Sequence, residues 1–158
     1  MFDPDPFANA LRLVRTDVHD SLGTHSPHGF TLDDYTWLSV EHYVQAMKFV
    51  PGAYAERIRA APHPDIAARL GSTWFKRKRR DWKQQRITYM TRAVYTKCHA
   101  HPAVRDRLLA TGMQDIVECS TYDYFWGCGR DGRGYNHYGK LLMRVRTKLR
   151  EEAAAPLP

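Results

Sequence analysis

The chain has 158 residues, 43% of them hydrophobic and 26% charged, ordinary proportions for a globular protein long enough to bury a core within a single domain spanning residues 1–158. No apolar run approaches the roughly 20 residues of a membrane-spanning helix and the N-terminus lacks a secretory pattern, so a cytoplasmic protein is expected, with no membrane partner. Three cysteines, Cys98, Cys119 and Cys128, without a C-x-x-C spacing predict reduced thiols. The net charge of +7 predicts attraction to phosphates or acidic partners without naming one.

In chain order, the stretch to Leu22 has no decisive period; Phe7, Leu11 and Val14 would suit a short helix. Gly23 to Gly29 is turn chemistry. Phe30-Thr31-Leu32 and Tyr35-Thr36-Trp37, joined by Asp33-Asp34, predict a hairpin that delivers the chain into a helix over 40–49, capped by Ser39 and stopped by Pro51. On that helix Glu41, Gln45 and Lys48 share one face while Val40, Val44 and Met47 form an apolar one. The polar row is either a solvated face or a set of functional groups. Pro51 suits the first turn of a second helix with Tyr54, Ile58 and Ala61 on one side, and Asp65 to Leu70 predicts a short third, ended by Gly71. From Asp81 a long helix lines up Trp82, Ile87, Met90, Val94 and Cys98. His101-Pro102 opens another, Ile116 to Cys119 reads as a strand, and the last helix runs from about Tyr138 to Ala153. The fold class expected is mainly α, one multi-helical domain with minor short β-strands.

Three features carry candidate chemistry. The run Lys76–Arg86 holds seven basic residues and one acid; it is either a solvated helix start or a nucleic-acid contact, with Trp74 and Trp82 placed to stack on bases. The loop from Tyr122 to Asn136 combines glycines, which let backbone amides approach a ligand, with aromatics and Arg133; it matches neither a dinucleotide fingerprint nor a P-loop, and an ordered surface loop is the plain alternative. Two carboxylates, Glu41 and Asp123, could stabilise an oxocarbenium-like sugar cation or activate water. Lys48 could neutralise a departing base, act as a nucleophile if burial lowers its pKa, or simply pair with an acid. His99 and His101 lack a third ligand at a metal spacing, so no metal is expected. Cys128 reads as a packing residue.

The blocks Phe30-Thr31-Leu32, Trp37, Ser39-Val40-Glu41-His42-Tyr43, Gln45-Ala46 and Lys48-Phe49, then Arg80-Asp81-Trp82, Met90, Ala93 and Lys97, then Leu108-Leu109 and Thr111-Gly112, and finally Asp123, Trp126-Gly127, Gly129, Gly132, Gly134, Asn136, Gly139, Leu142-Met143 and Arg146, occur in this order. The pattern resembles the NADAR family, also called YbiA-like, over roughly residues 30–149. The resemblance implies a mostly helical fold and an N-glycosidase that uses neither metal nor cofactor. It implies one of two substrate classes: phosphoribosylated aminopyrimidine intermediates of riboflavin biosynthesis, or ADP-ribose on guanine in nucleic acid, removed as an antitoxin against a cognate ADP-ribosyltransferase toxin. Carried onto this chain, Glu41, Lys48 and Asp123 are the catalytic candidates. Tyr43, Arg80, Trp82, Trp126, Gly127, Gly129, Arg133 and Asn136 are candidates for substrate binding. The chain departs from the family pattern at Ser21 to His28, where a Leu-Ser-Asn-Phe-like segment is usual, and at Ser72, where an arginine is usual. A non-catalytic binder of ADP-ribose, a nucleotide or nucleic acid is the alternative of another class.

Overall fold

The computed structural model describes residues 4–158; Met1 to Asp3 of the expected N-terminal segment lie outside the described residues. Six helices share one buried core: α1 (Val40–Met47), α2 (Ala53–Arg59), α3 (Pro64–Gly71), α4 (Trp82–Ala100), α5 (Pro102–Ala110) and α6 (His137–Ala154). Four three-residue strands complete it: β1 (Leu11–Leu13), β2 (Phe30–Leu32), β3 (Tyr35–Trp37) and β4 (Ile116–Glu118). The chain is mainly α, as its periodicity predicts.

The expected helix around Leu11 is a strand instead. β1 pairs in parallel with β4, Leu11 opposite Ile116 and Leu13 opposite Glu118. A three-residue strand is too short to display alternation, and its partner lies a hundred residues away, so local pattern carries no trace of the pairing. The hairpin forms as expected. Asp33 and Asp34 both take positive φ, 53° and 65°, which suits a two-residue turn whose twist matches the strands. The Asp33 carboxylate then accepts from the Tyr43 hydroxyl at 2.8 Å and from Arg92 at 2.6 Å, pinning the turn to α1 and α4.

Ser39 caps α1, its Oγ accepting from the His42 amide at 3.3 Å. Both faces of α1 are buried. Val40, Tyr43 and Ala46 are fully enclosed in the core, and Glu41 is only 2% exposed, so the polar row is not a solvated face. The Gly23–Gly29 turn is buried over much of its length beneath α1. Lys97 of α4, 1% exposed, holds it, donating to the Gly23 carbonyl at 2.7 Å and to Ser26 Oγ at 2.9 Å. Burial lowers this amine to about 8. At the C-terminal end of the long loop, Asn136 takes a left-handed conformation (φ 52°). Its side chain accepts from the Glu118 amide at 2.9 Å and donates to the Ile116 carbonyl at 3.0 Å. Gly139 follows because a Cβ there would meet that same carbonyl.

Candidate active site

α1 turns Glu41, Gln45 and Lys48 into a cavity of about 780 Å³. Glu41 lies at its floor, where Gln45 Nε2 donates to Glu41 Oε1 at 2.6 Å and Arg15 Nη1 reaches Glu41 Oε2 at 3.4 Å. The other end of the same guanidinium, Nη2, meets Asp123 Oδ2 at 3.0 Å. One cation therefore bridges the two carboxylates that the sequence singled out. His25 adds its Nδ1 at 3.7 Å from Glu41 Oε2 and its Nε2 at 3.3 Å from Asp65.

Arg15 has its backbone tied on both sides. Its amide donates to Glu118 Oε1 at 3.1 Å, and its carbonyl accepts from the Thr24 amide at 2.7 Å and from Thr24 Oγ1 at 3.1 Å. The Thr24 carbonyl in turn accepts from the Glu41 amide at 3.0 Å. Burial by itself pushes the Glu41 carboxyl up, but Arg15, His25 and the Gln45 hydrogen bond outweigh it and hold the group below its ordinary value. Burial drives His25 the other way, toward the neutral imidazole. The structure thus keeps a carboxylate ionised where water is scarce. Lys48 donates to the Gly71 carbonyl at 3.4 Å, and burial, with Lys78 nearby, lowers its amine to about 8.

The basic run forms a wall of this cavity: Lys78, Arg79, Arg80, Lys83 and Arg86 all line it. Arg79 is committed to Asp81 and Tyr89, and Arg86 lies 3.2 Å over the Phe125 ring. Lys78, Arg80 and Lys83 have no ion-pair partner among the described residues and are free to meet an anion. Trp82 and Trp126 complete the lining.

Not all sequence candidates converge here. Tyr43 is fully buried among Phe30, Trp37 and Tyr89 and spends its hydroxyl on Asp33, so it is a core residue away from the cavity. Gly127 and Gly129 do not line it either: a side chain at Gly127 would meet Glu118, and one at Gly129 the Tyr124 ring, so these glycines serve packing inside the loop. Arg133 is 87% exposed beside Asp131. Asn136 fixes the loop to β4. Asp123 approaches from behind Arg15; its Oδ1 accepts from the Phe125 and Trp126 amides at 3.1 and 2.7 Å, which sets the turn that presents Trp126. His99 is taken by Glu152 and His101 by the Gly29 carbonyl. No group of three or more His, Cys, Asp or Glu that could hold a metal ion occurs among the described residues, and no helix there is long and apolar enough to cross a membrane.

Sequence reasoning missed Arg15, Thr24, His25 and Glu118. Only Glu118 left a signal, a carboxylate inside a β-branched run. Three cavity-lining groups keep a buried polar atom without a partner among the described residues: Arg15 Nε, Gln45 Oε1 and Arg86 Nε. Such atoms favour a polar ligand over an apolar one.

A helical scaffold thus holds an arginine-bridged carboxylate and a lysine of lowered pKa in a basic cavity, a donor set compatible with glycosidase chemistry. The NADAR domain model matches residues 14–150. The chain is 44% identical over 128 residues to N-glycosidase Npun_R5314 of Nostoc punctiforme, covering 79% of this chain and 82% of that protein. It is 39% identical over 134 residues to N-glycosidase YbiA of Escherichia coli, covering 85% and 84%. It is also 38% identical over 157 residues to the maize riboflavin biosynthesis protein PYRR, of which it spans only 25%. The solved structure of Escherichia coli YbiA superposes with a TM-score of 0.84 at 31% identity, covering 95% of this chain and 91% of that one. The chain belongs to the NADAR family, and its enzyme class is that of a glycosidase. The match begins at residue 14 rather than 30 and so takes in Arg15 and the atypical 21–28 segment.

Replacing Arg15 with Met removes the cation that bridges the two carboxylates and leaves the buried Glu41 charge with only the Gln45 hydrogen bond and a His25 that burial drives toward its neutral form. Equilibrium urea unfolding at pH 7 should show a loss of about 3–5 kcal/mol. Glu41 is held below its ordinary value of 4.5, so its contribution is present above that pH and lost as pH falls through the lowered value. The gap between wild type and Arg15→Met should therefore shrink on acidification; a gap constant with pH would contradict the assignment.

Proposed function

We propose that the protein hydrolyses the N-glycosidic bond between a base and a phosphorylated ribose, and that its substrate is ADP-ribose attached to guanine in nucleic acid. The observation that carries the chemistry is the ionised Glu41 at the cavity floor, bridged through Arg15 to Asp123 with Lys48 on the same helix face. As the C1–N bond breaks, positive charge grows on the ribose ring, and the Glu41 carboxylate stabilises it in a site where little water screens the attraction. Gln45 holds Glu41 through its amide nitrogen and so orients the carboxylate toward the ribose. Arg80, Lys83 and Lys78 meet the phosphates, and Trp126 supplies a face for the base. The bond to the base is replaced by one from water oxygen to C1, the base nitrogen leaves with a proton, and the proton the water loses restores the one donated. Lys48 is placed to supply that proton, its lowered pKa being closer to the working pH than an ordinary lysine's.

The guanine-linked substrate is favoured by the number of basic residues in the wall and by the continuation of that charge outside the cavity. On this reading an ADP-ribosyltransferase toxin is the enzyme that makes the substrate, and the reaction runs in the cytoplasm, in keeping with three free cysteines. The riboflavin names of the maize and Vibrio vulnificus relatives support a second reading, hydrolysis of phosphoribosylaminopyrimidines.

The test is a product assay by mass spectrometry on both substrates. Wild type should release free ADP-ribose from an oligonucleotide carrying ADP-ribosylated guanine. Glu41→Gln should lose about a thousandfold in turnover with its thermal unfolding intact. Release of ribose 5-phosphate alone would move the substrate to the metabolite, and normal turnover in Glu41→Gln would remove Glu41 from the chemistry. The pH profile examines Lys48 separately. With its amine at about 8, an acid role makes kcat/KM fall above that pH. Lys48→Arg, charged throughout, should lose this limb and about a hundredfold in rate. A rise through pH 8 together with a borohydride-trapped protein adduct would make Lys48 a nucleophile instead.

A further inference from the structure

Between the cavity-lining residues Ser72 and Lys78 the chain leaves the surface as a loop, and Trp74 and Phe75 stand on it 84% and 76% exposed. Their rings stack on each other, centroids 4.0 Å apart and 26° from parallel. The loop is anchored at both ends. At one end the Thr73 amide donates to the Leu70 carbonyl at 3.4 Å, at the other the Arg79 amide donates to the Lys48 carbonyl at 2.7 Å, and between them the Lys76 amine lies 5.4 Å over the Tyr54 ring. Trp82, the other tryptophan beside the basic run, is 8% exposed and packed along Tyr89. Of the two, only Trp74 presents its ring outward at the rim.

A pair of large aromatic rings held in water is costly unless something covers it. What covers it must tolerate the adjoining Lys76, Arg77, Lys78 and Arg80, all exposed, so the occupant is anionic and has flat apolar faces. We propose that the Thr73–Arg80 loop docks single-stranded nucleic acid, a base next to the modified guanine stacking on Trp74 and Phe75 while the basic side chains follow the phosphates into the cavity. A strand offers free base faces, whereas duplex bases are already stacked on one another, so the platform selects unpaired substrate. The proposal rests on the nucleic-acid reading above and adds to it a surface, two residues and a strandedness.

The experiment is fluorescence anisotropy with a labelled, unmodified single-stranded oligonucleotide, the full chain and the double variant Trp74→Ala/Phe75→Ala. Circular dichroism confirms that the variant folds. The variant should bind about tenfold more weakly or worse, wild type should bind the strand in preference to a duplex of the same sequence, and affinity should fall with added salt. Equal binding by wild type and variant overturns the proposal, as does equal binding of strand and duplex. Binding of anionic phosphatidylglycerol vesicles in place of the oligonucleotide also overturns it, and assigns the surface to a lipid headgroup. If the strand binds through Trp74 and Phe75 but wild type releases no ADP-ribose in the product assay, the docking surface stands and the substrate reading fails.

Discussion

The site depends on one guanidinium placed between two carboxylates. Glu41 and Asp123 come from segments more than eighty residues apart, and neither could be brought so close to the other in a water-poor setting without a cation between them. Arg15 supplies it, 3.4 Å from one and 3.0 Å from the other. Its position is not left to its own side chain. Glu118 at the end of β4 holds the Arg15 amide, Thr24 holds its carbonyl, and buried Lys97 holds the turn that carries Thr24. The short parallel pairing of β1 with β4 is what brings Arg15 alongside. Strand, turn, helix and loop therefore meet through one residue.

That arrangement answers a conflict built into the chemistry. A phosphorylated ribose needs positive charge around its phosphates, and a ribosyl cation needs negative charge at C1. In the proposed reaction the basic wall from Lys78 to Arg86 would meet the first need, and Glu41, held below its ordinary pKa despite burial, would meet the second. Lys48 sits between them. Burial and Lys78 lower its amine while Glu41 partly opposes them, leaving it near 8, which suits the proton transfer proposed for it. Gln45 contributes by orienting Glu41 through its amide nitrogen.

The helical frame was legible wherever local chemistry decides the outcome. Ser39 and Pro51 marked α1, Asp33-Asp34 marked the hairpin, and the spacing of Glu41, Gln45 and Lys48 placed all three on one helix face, which only the fold turns into a cavity. Arg15 and His25 were hidden because their importance comes from long-range contacts, across 108 residues in the pairing of Arg15 with Asp123. Gly127 and Gly129 of the 122–136 loop were candidates for ligand contact, yet they are required by close packing on Glu118 and Tyr124. Tyr43 shares a helix with Glu41 but faces the opposite side, into the aromatic core. The basic run was ambiguous by composition alone; only the fold shows part of it turned into the cavity and part turned outward on the rim.

The most direct measurement is a crystal structure of Glu41→Gln soaked with ADP-ribosylguanosine. The anomeric carbon should lie against residue 41, the guanine toward Lys48, and the diphosphate along Arg80 and Lys83. A ligand bound with its ribose away from residue 41 would contradict the central role given to the Glu41–Arg15–Asp123 bridge.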